Sequence, residues 1–301
     1  MIDFHKYAKI YILGHDENVD IFRDKTDEIQ MQEKMDGGNF RFIIKNGNLV
    51  FGSRTQQLTS DEGDETNMNK QFKSAVASVR LCLKDKDLRL YEGNIFYLEC
   101  MIKHTMDYDW EKMPAVLGFD VYNLANKAFI ANANEIFKDL GIPFVPIIGT
   151  WKADMKVNDD LVPVSAYAPR SNLEQKAEGI VFKNFSKQIY AKYVRPQFRE
   201  ENAKTFGGTP KYQESGAGKI CATYCTNSRI DKAIFYFHDQ GEKIDMPLMR
   251  MIVGYVYKDI WEENWKTIIK KYGEINLREM RKIIIGRCRA VLQQVIVNNT
   301  R

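Results

Sequence analysis

Apolar and polar positions alternate through residues 29–54. Phe40, Phe42 and Ile44 alternate with Arg41, Ile43 and Lys45. Asn46-Gly47 follows, and Leu49-Val50-Phe51 resumes the apolar run. A period of two puts one set of side chains on each sheet face, and Asn-Gly supplies the positive-φ pair of a tight turn, so a hairpin is predicted here. Residues 66–84 change to helical spacing, with Phe72, Ala75, Val76, Val79 and Cys82-Leu83 on one face. Residues 95–101 and 116–122 are short apolar runs of the kind buried strands carry. Residues 132–140 read as a helix stopped by Gly141 and Pro143. Residues 178–183 and 188–194 form a further strand pair around the turn at 184–187.

The texture then shifts. Residues 199–228 are polar, with Gly207-Gly208-Thr209-Pro210 and Gly216-Ala217-Gly218, and read as a linker or ordered loop. Beyond residue 229, aromatic, Leu, Ile and Met residues recur at helical spacing, as in Ile252, Tyr255, Val256, Ile260 and Trp261. The predicted organisation is a β-rich domain over 1–205, a linker over 206–228 and a small all-helical domain over 229–301. The fold class is α+β.

Charge sharpens this division. The chain of 301 residues carries a net charge of only +4, yet residues 183–211 hold seven Lys/Arg against two acids, and residues 229–301 hold fourteen against nine. The basic charge gathers toward the C-terminus, and Arg278, Arg281, Lys282 and Arg289 fall near one helix face. That asymmetry suits a polyanion approached from one side. Hydrophobic content of 44% excludes a mostly disordered chain. The longest apolar runs, such as 251–257, are far shorter than the roughly 20 residues of a membrane span. The N-terminal residues lack the apolar stretch of a secretion signal. Five scattered cysteines suggest reduced thiols rather than a disulfide framework, and a cytoplasmic location is expected. Cys221 and Cys225 have no second Cys or His pair to complete a zinc site. Gly216-Ala217-Gly218-Lys219-Ile220 lacks the spacing and hydroxyl of a phosphate-binding loop. His5, His15, His104 and His238 show no metal-ligand spacing.

The informative stretch is Glu33-Lys34-Met35-Asp36-Gly37-Gly38-Asn39-Phe40. A Lys and an Asp two apart in a strand face the same side. The glycine pair permits close backbone approach to a ligand. A lysine beside cations or in a dry pocket loses its proton and becomes a nucleophile, able to attack the α-phosphate of a nucleotide. Alone, the tetrapeptide Lys34–Gly37 also fits an ordinary surface turn after a strand.

Five further blocks follow in order: Phe51-Gly52-Ser53-Arg54-Thr55, Phe96-Tyr97-Leu98-Glu99, Leu117-Gly118-Phe119-Asp120-Val121-Tyr122, Glu178-Gly179-Ile180-Val181-Phe182-Lys183 and Ala191-Lys192-Tyr193-Val194-Arg195. With the first, they resemble motifs I through V of the covalent nucleotidyltransferases: ATP-dependent RNA and DNA ligases and mRNA capping enzymes. The nearest likeness is to the RNA ligase 2 family. The resemblance implies an ATP-grasp-like ligase domain of antiparallel sheets with flanking helices, followed by the small helical domain.

It also implies roles. Lys34 would be the nucleophile that carries AMP from ATP, with Glu33, Gly37 and Asn39 lining the nucleotide site. Asp36, Glu99 and Glu178 would hold Mg²⁺ (or Mn²⁺) through its waters, and Asp36 and Glu99 would also face the nucleotide. Arg54 would meet the ribose or a 5′-phosphate, Phe119 would stack on adenine, and Lys183 and Lys192 would neutralise the phosphates. The family's fifth motif spaces two lysines K-x-K. Here Val194 stands at the second position, and Arg195 replaces it only if the strand bulges or ends there.

The implied activity is RNA ligation, joining 3′-hydroxyl and 5′-phosphate RNA ends by way of lysyl-AMP and adenylylated RNA. The implied partner is RNA in a nicked duplex, read by a monomeric enzyme. A DNA ligase, a GTP-dependent capping enzyme and an inactive RNA-end-binding protein remain alternatives. Nucleotide choice and self-labelling separate them.

Overall fold

The structure is a computed structural model and describes residues 5–54, 56–62, 70–102, 106–195 and 215–299. The chain divides into two compact units, Met1–Val194 and Arg195–Arg301.

The first unit is built from two five-stranded sheets. One runs β1 (Tyr11–Ile12), β10 (Ile189–Val194), β9 (Gly179–Asn184), β2 (Glu28–Glu33) and β8 (Ile147–Lys152). The other runs β4 (Asn48–Ser53), β3 (Gly38–Lys45), β5 (Asn94–Cys100), β6 (Val116–Asn123) and β7 (Ala128–Phe129). Among the described residues, the pairings between these strands are antiparallel except β1 with β10. The chain crosses from the first sheet to the second between β2 and β3.

The predicted hairpin is present. Asn46 and Gly47 turn it with φ of 51° and 77°, and Lys45 pairs with Asn48 across the turn. The alternation resolves into two buried faces. Phe40, Phe42 and Phe51 stack with Phe96 and with Phe72 of α1 (Lys70–Leu83). Ile43 joins Ile95, Tyr97, Tyr122 and Tyr7 in a separate cluster. The remaining part of the expected first helix, 66–69, lies outside the described residues. The helix α2 (Ala133–Leu140) ends at Gly141, whose φ of 72° is the left-handed cap the sequence signalled.

The second unit is helical: α3 (Gly216–Tyr224), α4 (Asn227–Asp239), α5 (Met249–Tyr272) and α6 (Leu277–Asn299). The start of the expected linker, 206–214, and the boundary at residue 205 lie outside the described residues. Residues 216–224 differ from that expectation. They form α3, capped by the Ser215 hydroxyl accepting from the Gly218 N–H, because Ala217, Ile220, Cys221 and Tyr224 are buried in the helical core. The glycines hid this amphipathic pattern. Thr226 caps α4 in the same way. Arg229 of α4 reaches Glu263 at 2.8 Å and Asp259 at 3.3 Å on α5, so the buried acids of that helix have a cation. Among the described residues no helix is long and apolar enough to cross a membrane.

Candidate active site

The crossing between the sheets carries the central residues. β2 ends at Glu33, and Lys34, Met35 and Asp36 have left the strand before β3 begins at Gly38. Lys34 and Asp36 therefore share a loop, not the regular strand face the spacing suggested. The Lys34 N–H still donates to the Gly179 carbonyl at 3.1 Å, which brings Glu178 alongside. Lys34 Nζ lies 2.6 Å from Glu178 Oε2, with side chains 24% and 10% exposed.

Electrostatics correct a second expectation. Burial pushes the Lys34 ammonium toward losing its proton, but Glu178, then Asp36 and Glu99, outweigh it, so its pKa is raised. In this state Lys34 is a cation among acids, and it becomes a nucleophile only once that negative charge is offset. The acids show the reciprocal strain. Burial, reinforced by Asp36 and Glu178, pushes Glu99 up to about 7 despite Lys34. Burial likewise raises Glu178, against Lys34.

The other contacts fix this arrangement. Asp36 Oδ2 accepts from the Met106 N–H at 2.9 Å, and the Asp36 N–H donates to Tyr108 Oη at 2.9 Å. The Gly37 N–H donates to Glu99 Oε1 at 3.0 Å. A Cβ on Gly37 would stand 2.5 Å from the Cys100 carbonyl oxygen and 2.8 Å from Glu99 Cγ. The neighbouring strand alone therefore calls for glycine here. Asn39, paired with Glu99 across the ladder, leaves its buried Oδ1 without a hydrogen-bond partner among the described residues. Buried acceptors are seldom left so.

Three acids, one lysine and an orphan amide oxygen suit a hydrated divalent cation: it would offset the carboxylate repulsion and supply donors through its waters. Among the described residues no three His, Cys, Asp or Glu side chains converge closely enough to hold a metal directly. The residues present fit a metal held through water and not an inner-sphere cage.

Glu33 and Lys183 are held in buried contacts within the domain, and Arg195 stands where its strand ends. Glu33 is 3% exposed. It accepts from Ser165 Oγ at 2.5 Å and from the Ala166 N–H at 3.0 Å, tying that loop to β2. Lys183, expected near phosphate, is fully enclosed. Its ammonium lies 2.8 Å from Asp120 Oδ2 and donates to the Phe119 carbonyl at 2.7 Å. Asp120 also accepts from Tyr7 Oη at 2.5 Å. The pairing of β5 with β6 slips here, Tyr97 facing Asp120 and Leu98 facing Gly118, so Phe119 is the extra residue of a β-bulge. A bulge frees a backbone group from the ladder and re-aims its side chain. Lys183 takes the freed carbonyl. Arg195 lies just past the end of β10 at Val194 and is buried.

Lys192, half-buried on β10, lies near enough to lower the Glu178 pKa. Arg54 follows directly on β4, beyond the Phe40–Ser53 pair, and is half-buried. Thr55 and His104 lie outside the described residues. Asp120 and Tyr7 were missed in the sequence. Asp120 had one legible signal, a charged residue inside an apolar strand run. Tyr7 had none, since its partners are distant in the chain.

Two antiparallel-rich sheets with a lysine at their crossing, beside acids from the crossing itself, from β5 and from the loop before β9, define a nucleotidyltransferase-type domain. The RNA ligase family model matches residues 27–194, more than half of the chain, and the chain belongs to that family. No curated protein matches. Among solved structures, a Naegleria gruberi RNA ligase point mutant in its apo form superposes with a TM-score of 0.50 at 17% identity, covering 66% of this chain and 57% of that one. A second point mutant of that ligase, solved with ATP and Mn, gives 0.50 at 18%, covering 67% and 59%. This chain thus spans less than two thirds of those proteins, and the likeness is one of fold.

Proposed function

We propose that the protein is an ATP-dependent RNA ligase that joins 3′-hydroxyl and 5′-phosphate ends by way of lysyl-AMP. The observation that carries this reading is the 2.6 Å contact of Lys34 with Glu178, inside a domain whose family is RNA ligase. The Naegleria ligase solved with ATP and Mn supports the nucleotide and a divalent metal, Mg²⁺ or Mn²⁺.

Lys34 Nζ, after giving up a proton, attacks the α-phosphorus of ATP. An N–P bond forms and pyrophosphate leaves. A 5′-phosphate oxygen then displaces Lys34 from that phosphorus, giving adenylylated RNA. The 3′-hydroxyl attacks the activated phosphate, a phosphodiester forms and AMP leaves. Asp36, Glu99 and Glu178 would hold the metal through its waters, where it offsets charge on the phosphate oxygens and on the acids that keep Lys34 protonated. Phe119 would offer its ring to the base, Lys192 and Arg54 would offer charge to phosphate, and Asn39 would offer its amide oxygen as an acceptor beside the metal. Holding the reacting ends in line supplies much of the rate.

Self-labelling tests this. The protein and Lys34→Ala are incubated with radiolabelled ATP or GTP and Mg²⁺, and run on a denaturing gel. Label from ATP only, absent in the variant, is expected, followed by sealing of a nicked RNA duplex. Label from GTP alone would indicate a capping activity. Folded, AMP-free protein that takes no label would replace the ligase reading with an RNA-end-binding one.

A further inference from the structure

The exposed face of α6 carries charge that is not balanced among the described residues. The helix carries Arg278, Arg281, Lys282, Arg287 and Arg289 against a single acid, Glu279. Arg287 turns inward toward the Cys221 carbonyl and Asn227 Oδ1, and Glu279 accepts from Ser215 Oγ at 2.8 Å. The other four cations are exposed. Offsets of three, four and eleven residues from Arg278 place them in one sector of roughly 100°, along roughly 16 Å of helix. Among the described residues, none of the four has an acidic partner.

Two further features bear on what this face meets. No aromatic residue interleaves the four cations, whereas surfaces that hold single strands stack bases on aromatic rings. Gly286 sits mid-helix, exposed, and a Cβ there would meet nothing. Glycine is a poor helix former, and no packing among the described residues calls for it. It leaves the backbone low beside the cations.

We infer that this face of α6 is a docking surface for the phosphate backbone of duplex RNA. A row of cations without stacking groups reads phosphates and positions a duplex without reading its bases. The inference rests on the RNA ligase reading for its choice of nucleic acid. It adds which surface of the second unit grips the substrate.

The test uses the full chain and a fluorescent nicked RNA duplex, with affinity measured between 50 and 200 mM KCl. Neutralising the face (Arg278→Gln, Arg281→Gln, Lys282→Gln and Arg289→Gln together) should flatten the log–log salt slope by about two to four and weaken binding at least about tenfold. Self-labelling from ATP should not change. Replacing the three arginines by lysine should preserve the slope. If the fourfold variant does not fold, Arg278→Gln and Arg289→Gln singly should each lower the slope by about one. An unchanged slope would overturn the proposal. So would an equal loss on neutralising Lys258 and Lys270 of α5, which would mark a general charge effect. A slope change confined to single-stranded RNA or to duplex DNA would overturn duplex RNA as the occupant. Binding needs neither ATP nor Lys34, so failure here and failure of self-labelling are distinguishable.

Discussion

Lys183 of β9 reaches across to the second sheet and donates to the Phe119 carbonyl at 2.7 Å. That carbonyl is available only because Phe119 is the bulged residue of β6. One buried ammonium therefore holds the backbone of the bulge, with Gln32 Nε2 at 3.5 Å on the same carbonyl, while Asp120 supplies its counter-charge at 2.8 Å.

Lys183→Met should strand the buried Asp120 carboxylate. Removing one partner of a buried ion pair costs about 3–5 kcal/mol, so a large fall in unfolding free energy by urea titration is expected. Adding Asp120→Asn to that variant should recover part of the stability, because no charge is then left unpaired. Nucleotide affinity should stay low in both, since the bulge has lost its clamp. Full recovery of ATP binding in the double variant would show that Lys183 does not position Phe119.

Gly37→Ala and Gly179→Ala test the close approaches that frame Lys34. At Gly37 a Cβ meets the Cys100 carbonyl oxygen at 2.5 Å, and at Gly179 the Tyr193 carbonyl oxygen at 1.9 Å. Overpacking of this kind costs about 1–3 kcal/mol, occasionally more. Gly179→Ala should be the more damaging, because all three near atoms belong to a paired strand backbone. Denaturant midpoints give the order directly.

Acid should expose the contribution of Asp27. Its carboxylate lies 2.8 Å from Lys187 Nζ and accepts from Asn184 and Ser186, and Lys187, then Asn184, hold its pKa below the ordinary value. A depressed carboxyl stabilises the fold above its unfolded pKa of about 3.9. That contribution is lost as pH falls through the native value. Asp27→Asn should be less stable than the parent at pH 7, and the gap should close as pH drops below about 4. Stability curves of the two proteins running parallel down to pH 2 would contradict this.

Thiol chemistry should separate the cysteines. Cys100, Cys221, Cys225 and Cys288 are buried, and Cys82 is half-buried. Burial pushes Cys100 and Cys221 up to about 12 and Cys225 up to about 11, and raises Cys288. Thiolate is the reactive form. A colorimetric thiol reagent at pH 8 should titrate about one thiol per native chain promptly, with the others reacting only in denaturant.

The sequence by itself determined the hairpin at Asn46-Gly47, the helices with clean amphipathic spacing and the ordered motifs that led to the RNA ligase family. These are local signals: a turn needs its own two residues, and a helix face needs its own period. It did not determine that β2 ends at Glu33 and leaves Lys34 in a crossing loop, because where a strand stops depends on the partner strands. Nor did it show that Lys34 stays charged, since that sign is a contest between burial and three acids brought from β5, the loop before β9 and the crossing itself. The roles of Lys183 and Asp120 were hidden for the same reason. Both were legible as residues of motifs, but a bulge in β6 and a lysine some sixty positions later become one clamp only when the two sheets face each other.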